Sequence, residues 1–323
     1  MLQRNKYFDF LRGIAIIGVV GIHTYRIPDD FSNPLVYVAG REMLNFAVPL
    51  FLVISGLFSM RSFRQKGEYF SYLKKQIPKV YIPTIIWSLP WFVLSLLSGE
   101  DFIVSLLYLF TCGFSIFYFI ALIIQMYLLL PVYHAVANNR GGVIISGLIT
   151  IISVFIHTYY MPSELPLVIS VGPCVYWLIF FAIGAYFSDK NRNYSLWLPF
   201  CLLIVGCITQ IFEYMILEEM GKNGIGIKLS SWIYSLGVIM LLISEKVEKI
   251  YNENAIISII HIIGVNSFGI YLVHMLVLIF IRRITHISWI EDWVLAIIFS
   301  MALIKLAKLI VPNISNRFLG FKQ

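Results

Sequence analysis

The chain has 323 residues, of which 59% are hydrophobic and 13% charged, with a mean hydropathy of +0.85. Soluble domains carry about 25% charge, so too little polar surface exists here to wrap a soluble core. The apolar runs also outlast the about 9–11 alternating residues of a membrane barrel strand, and the formal charge of +7 gathers at segment ends rather than forming a nucleic-acid patch.

The pattern predicts an all-α fold, a polytopic transmembrane helical bundle of about ten transmembrane helices. The spans fall near 8–27, 42–60, 80–98, 114–132, 143–160, 168–187, 196–215, 227–244, 262–281 and 293–311, each near the about 20 residues that cross a bilayer. A cytoplasmic N-terminus puts most of the 24 Lys and Arg on the cytoplasmic side. Arg61, Arg64, Lys66, Lys74, Lys75 and Lys79 then lie in 61–79, the longest and most basic connection. This is the positive-inside pattern, with both termini cytoplasmic. Short connections predict one membrane-embedded domain over 1–323 with no appended soluble domain. No small-residue cleavage site follows MLQRNK and its apolar run; Asp29 and Asp30 come instead, so the first segment is expected to stay. The four cysteines lack metal-ligand spacing and read as small hydrophobes, and no metal is expected.

The first segment, Phe8 to Tyr25, carries Arg12 and His23 among apolar residues. Eleven positions return a helix almost to the same face, about 16 Å further along. Ionisable groups inside a bilayer are costly and face a polar interior or a pathway. His23 is the candidate catalytic residue, because imidazole is the ordinary general base near neutral pH. Its plainer role is a hydrogen-bonded core histidine. Arg12 is the candidate to hold an anionic or carbonyl group, against pairing with Asp9 three residues earlier. Gly13, Gly18 and Gly21 thin the helix for close packing or a ligand path.

The second segment holds Asn45, Ser55 and Gly56. Pro49 is expected to loosen it and free a backbone carbonyl. Arg61 and Arg64, three apart, can share a face and grip phosphates, with Lys74 and Lys75 beyond them. Juxtamembrane arginines also serve headgroup attraction. The stretch 99–113 reads as interfacial or re-entrant. Gln125, alone in Phe117 to Pro131, needs a helix or a ligand as partner. Asn266, Ser267 and His274 interrupt the ninth span. On one helix Asn266 and His274 fall within about 80°, and His274 is expected near the depth of His23. Asn45, Ser55, Gln125, Asn266, Ser267 and His274 form the candidate acceptor-binding or structural polar set. His157 and His286 read as outer-boundary residues, His134 and His261 as inner ones.

Taken in order, FDFLRGIAIIGVVGIH, VPLFLVISGLF, RSFR, FYFIALIIQMYLLLP and GVNSFGIYLVH resemble the acyltransferase-3 family of membrane proteins, over about Tyr7 to His274 and loosely to the end. The resemblance implies a membrane O-acyltransferase. It would move an acyl group, acetyl above all, from cytoplasmic acyl-CoA (acetyl-CoA as the expected donor) to a hydroxyl of a surface polysaccharide, lipid-linked sugar or related acceptor. It implies His23 as the catalytic histidine, Arg12 as its accompanying arginine, and Arg61 and Arg64 as donor-handling residues, to which the basic loop adds Lys74 and Lys75. The expected partners are the lipid bilayer and a glycan or lipid-linked sugar, with no nucleic acid, in a bacterial cytoplasmic membrane; oligomeric state is left open. The chain departs from many relatives at Phe51-Leu52, where they pair phenylalanines, and at Tyr118, where they have tryptophan; both changes keep bulk. No serine or cysteine sits in a nucleophile arrangement, which disfavours a covalent serine intermediate and leaves direct general-base transfer and a ping-pong route through an acyl-histidine both open. The rival class is a multi-pass transporter of a sugar or lipid precursor, to which buried His, Arg and Gln are equally suited.

Overall fold

In a computed structural model the described residues are 5–26, 34–66, 68–136, 139–162, 165–284 and 288–321, and among them every regular element is helical. Asp29, Asp30 and His286 lie outside these ranges. The first helices are α1 (Lys6–Thr24), α2 (Pro34–Glu42), α3 (Ala47–Lys66), α4 (Tyr69–Leu97), α5 (Phe102–Phe110) and α6 (Tyr118–Leu128). Next come α7 (Leu130–Val136), α8 (Arg140–Tyr160), α9 (Leu167–Ser170), α10 (Leu178–Tyr186), α11 (Trp197–Glu219) and α12 (Leu229–Leu242). The last are α13 (Glu245–Glu248), α14 (Ala255–Val265), α15 (Ser267–Ile284), α16 (Trp289–Ile310) and α17 (Pro312–Arg317).

Among the described residues, 7 stretches are long and apolar enough to cross a bilayer: α1, Leu35–Gln65, α4, α8, α11, α15 and α16. The pair Phe102–Phe110 and Ser115–Leu128, bent by 49°, makes up to 8 if it is one span. Positive φ angles at Cys112 and Ser115 mark that bend. The remaining expected spans are shorter pieces. The stretch 168–187 is α9, a 3₁₀ turn at Cys174–Tyr176 and α10. The span 227–244 is α12, and 262–281 is split at Asn266 between α14 and α15. Most of the expected connection over 61–79 is helical, since α3 runs to Lys66 and α4 starts at Tyr69. Apolar side chains stay exposed along α8 (Ile144, Ile145, Ile152) and α11 (Leu198, Val205, Phe212). Faces that apolar are stable against lipid and not against water.

The chain forms two compact units, Met1–Ile54 with Lys190–Lys305, and Ser55–Asp189 with Leu306–Gln323. In the first, α1 is the enclosed helix, with 67% of its apolar window buried against 17% for α11. Its glycines serve close packing. A Cβ on Gly264 would stand 1.7 Å from the Asp9 carbonyl oxygen, and one on Gly13 would stand 2.1 Å from that of Ile260. Backbone-to-backbone approach of this kind is how helices gain contact without a hydrophobic driving force. The C-terminal end of α1 is pinned by side chains of α15 and α16. Arg282 donates to Thr24 O at 2.8 Å, Trp289 to Gly21 O at 3.0 Å and Trp293 to Ile17 O at 2.7 Å. Arg282 puts a cation on carbonyls at the negative end of the helix dipole. Asp292, fully buried, holds Arg282 from the other side at 3.0 Å.

In the second unit, a Cβ on Gly56 would meet the Phe181 carbonyl oxygen at 2.3 Å. Gly56 therefore marks tight helix contact between α3 and α10. Three prolines, Pro78, Pro83 and Pro90, lie inside α4, which bilayer-spanning helices tolerate.

Candidate active site

His23 is the penultimate residue of α1, between the carbonyls that Trp289 and Arg282 hold. Its ring faces that of His274 on α15, with centroids 5.5 Å apart and planes inclined by 43°. His274 is fully buried. Its Nδ1 lies 2.9 Å from both Ile270 O and Tyr271 O. Carbonyls only accept, so Nδ1 carries the hydrogen, and Nε2 of the neutral ring presents a lone pair. That Nε2 is buried and has no hydrogen-bond partner. His23 is half-buried, and among the described residues its ring makes no hydrogen bond.

The other residues expected on these helices are engaged differently. Arg12 donates to Asp9 Oδ1 at 2.6 Å, the plainer role weighed for it. Asp9 is itself buried, and His261 Nε2 approaches its other oxygen at 3.9 Å. Asn266 caps the end of α14, its amide donating to Ile262 O at 2.9 Å. Because α15 starts at Ser267, Asn266 and His274 do not share one helix, which corrects the expected common face. Ser267 is buried in the first turn of α15. Pro49 does not kink a helix from within. It sits in the first turn of α3, just past a turn at residues 43–46, where a missing N–H costs little.

Asn45 lies in that turn and is the hub of a polar cluster. It accepts from Arg41 at 2.7 Å, and its amide donates to Glu42 Oε2, Gln210 Oε1 and Ser231 Oγ, each at 3.0 Å. Glu42 pairs with Lys228 at 2.6 Å, both side chains 1% exposed. Lys228 also donates to Gly224 O at 2.5 Å. Arg41 acts electrostatically on His23, and Tyr25 interacts with both Arg41 and Glu42. Sequence reading found Asn45 but missed Arg41, Glu42, Gln210 and Lys228. Gln210, a lone amide within an apolar run, was the available signal.

In the second unit, Gln125 finds its partner in the backbone of the interrupted segment between α9 and α10. Its amide nitrogen donates to Gly172 O at 3.0 Å, and its oxygen accepts from Cys174 N at 3.0 Å. Broken backbone inside a membrane must be satisfied from within the protein, so Gln125 is a staple. Arg61 donates through Nε to Ser188 O, and Arg64 donates to Ser188 Oγ at 3.1 Å and forms an ion pair with Asp189. Arg64 holds the Asp189 carboxyl below the usual carboxylate range. Lys74 and Lys75 are exposed on α4, and Ser55 is half-buried on α3.

With this geometry in place, comparison with known proteins gives one match: the family's acyltransferase domain aligns with residues 5–307. The chain belongs to the acyltransferase-3 family, whose members are polytopic membrane acyltransferases. No curated protein and no solved structure matches it.

Proposed function

We propose that the protein is a membrane O-acyltransferase in which His23 is the general base. It takes an acyl group, acetyl in the first instance, from cytoplasmic acyl-CoA and gives it to a hydroxyl of a surface polysaccharide, a lipid-linked sugar or a related acceptor. The observation that carries this is the His23–His274 ring pair at 5.5 Å in a family of acyltransferases. The acceptor oxygen attacks the thioester carbonyl while its proton passes to His23. The tetrahedral intermediate then collapses, the carbon–sulfur bond breaks, and CoA leaves as the thiol with the proton from His23. His274, a lone-pair acceptor at Nε2, is a positioning residue that orients the base and stabilises its imidazolium form.

Arg61, Arg64, Lys74 and Lys75 are the proposed contacts for the CoA phosphates, with a phosphate competing against Asp189 for Arg64. Arg12 supports the site as one half of its pair with Asp9. The interrupted segments at 171–177 and at Asn266 favour the transport reading, since transporters build sites on broken helices. Purified protein with labelled acetyl-CoA separates the two. Acceptor modification that consumes donor and is lost in His23→Ala supports the enzyme, and donor-independent translocation overturns it. His274→Asn should shift the acid limb of the pH–rate profile, a readout that a merely structural role would not move.

A further inference from the structure

His23 stands where a helix is least fixed. It is the penultimate residue of α1. The last carbonyls of a helix have no partner within it, and terminal turns fray. A general base must nonetheless keep its geometry to within about 0.5 Å. Two carbonyls of this turn are taken from outside, Gly21 O by Trp289 at 3.0 Å and Thr24 O by Arg282 at 2.8 Å. Thr24 also turns its hydroxyl back onto Val20 O at 3.1 Å.

Helix α15 meets this turn at two levels. His274 faces the His23 ring. Arg282 lies about 12 Å further along α15 and about 80° around it, and takes the carbonyl of the next residue, Thr24. Side chains lean toward the N-terminus of their helix and carbonyls point toward its C-terminus. The two contacts therefore bracket His23 and fix the register of α1 against α15. The 5.5 Å between the two rings depends on that register.

Arg282 can set the register only if its own guanidinium is oriented. Asp292, in the first turn of α16, accepts from Arg282 Nε at 3.0 Å while Nη2 serves Thr24 O. Both edges of one planar fork are in use, a geometry that an ammonium cannot copy. Trp289, three residues before Asp292, shares its face of α16, so a single helical turn holds Gly21 O directly and Thr24 O through Arg282. Asp292 is fully buried. Arg26 Nη2 stands 3.7 Å from the same carboxylate oxygen, and the other oxygen is buried and unmet among the described residues. Stability does not account for this arrangement, because a buried carboxylate loses in desolvation much of what it gains from its cation. Orientation of Arg282 does.

We propose that Asp292 is a positioning residue for His23, acting through Arg282 and the Thr24 carbonyl to keep the imidazole in register with His274. The assignment rests on the acyltransferase reading above and adds to it the device that aims the base.

The test uses the full chain in detergent, with labelled acetyl-CoA as donor and an extract of bacterial envelope glycolipids as acceptor. Arg282→Lys keeps a cation beside Asp292 and gives up the fork. It should lower the apparent kcat about 30-fold, inside the about 10²-fold that a misplaced reacting group can cost, with the acetyl-CoA KM within about twofold. Asp292→Ala should match it, and Asp292→Asn, which keeps an oxygen for Arg282 Nε, should lose only about threefold. If Asp292→Ala fails to fold, Arg282→Lys carries the test. The discriminating measurement repeats Arg282→Lys in a His23→Ala background. Positioning acts only through the imidazole, so residual transfer should there change by no more than about twofold. An equal loss in both backgrounds would mean general damage and overturn the assignment. So would a wild-type kcat in Arg282→Lys, or a rise in donor KM that accounts for its loss. Wild-type transfer by His23→Ala alone overturns the base itself. An inactive His23→Ala beside a fully active Arg282→Lys overturns only the positioning, so the two failures are distinguishable.

Discussion

Gln125 in one unit and Glu42 in the other are both polar side chains set among apolar helices, and they end differently. Gln125 closes its amide on Gly172 O and Cys174 N, so both ends serve the backbone of an interrupted segment. Glu42 closes one oxygen on Lys228 and Asn45 and leaves the other unmet. His274 repeats the pattern, with Nδ1 tied to two carbonyls and Nε2 bare. A polar group fully satisfied by its own backbone is explained by folding. One held from one side and unmet on the other calls for an explanation beyond folding, such as a ligand or an ordered water.

The sharpest way to break this contrast is His23→Ala. General-base catalysis contributes about 10²–10⁴-fold, so acyl transfer should fall by that factor. The ring makes no hydrogen bond among the described residues, so thermal unfolding should hardly move. Transfer at the wild-type rate would remove the distinction between the two kinds of polar group.

Lys228→Met tests the closed side of Glu42. It leaves a buried carboxylate without its cation, a change that costs about 3–5 kcal/mol. Thermal unfolding in detergent should drop by several degrees; an unchanged midpoint would mean that the pair is already wet. Gln125→Leu should cost less, about 2–3 kcal/mol, because two backbone groups lose partners and no charge is stranded. Its signature is loss of stability with donor KM unchanged, and a selective loss of donor or acceptor binding would make Gln125 a ligand residue after all.

The sequence makes parts of this contrast legible. His23 and His274 stand out because ionisable groups are rare in apolar runs, and their pairing by depth follows from helix direction. Gln125 is visible as an amide that must find a partner, but periodicity cannot say that the partner is backbone, since the break at 171–177 is a tertiary fact. Gly172 and Pro173 hint at that break without fixing it. Glu42 and Lys228 are hidden for another reason. Each sits at the edge of an apolar segment, where charge is ordinary, and only the fold brings them together. Arg12 carries the converse lesson. Its alignment with His23 along α1 is real, but Asp9 lies nearer and takes it at 2.6 Å.

The smallest predicted effect belongs to the exposed ion pair of Arg64 and Asp189, whose carboxylate side chain is 55% exposed. Pairs of this kind contribute at most about 1 kcal/mol. The carboxyl is held below its ordinary value in the folded protein, so the folded state binds its proton less readily than the unfolded chain. Its contribution is therefore fully present above the unfolded pKa of about 3.9 and is lost as pH falls through the lower folded value. Asp189→Asn should lower the unfolding midpoint slightly at pH 7, and the difference from wild type should close only in strong acid. The same substitution frees Arg64 from its competitor. If that arginine grips a donor phosphate, acetyl-CoA should bind more tightly in Asp189→Asn at neutral pH, and Arg64→Ala should weaken it. Opposite signs in those two variants, read by equilibrium binding of labelled acetyl-CoA, would place Arg64 with the open groups rather than the closed ones. Equal affinity in both would leave it a structural clamp on the turn at Ser188.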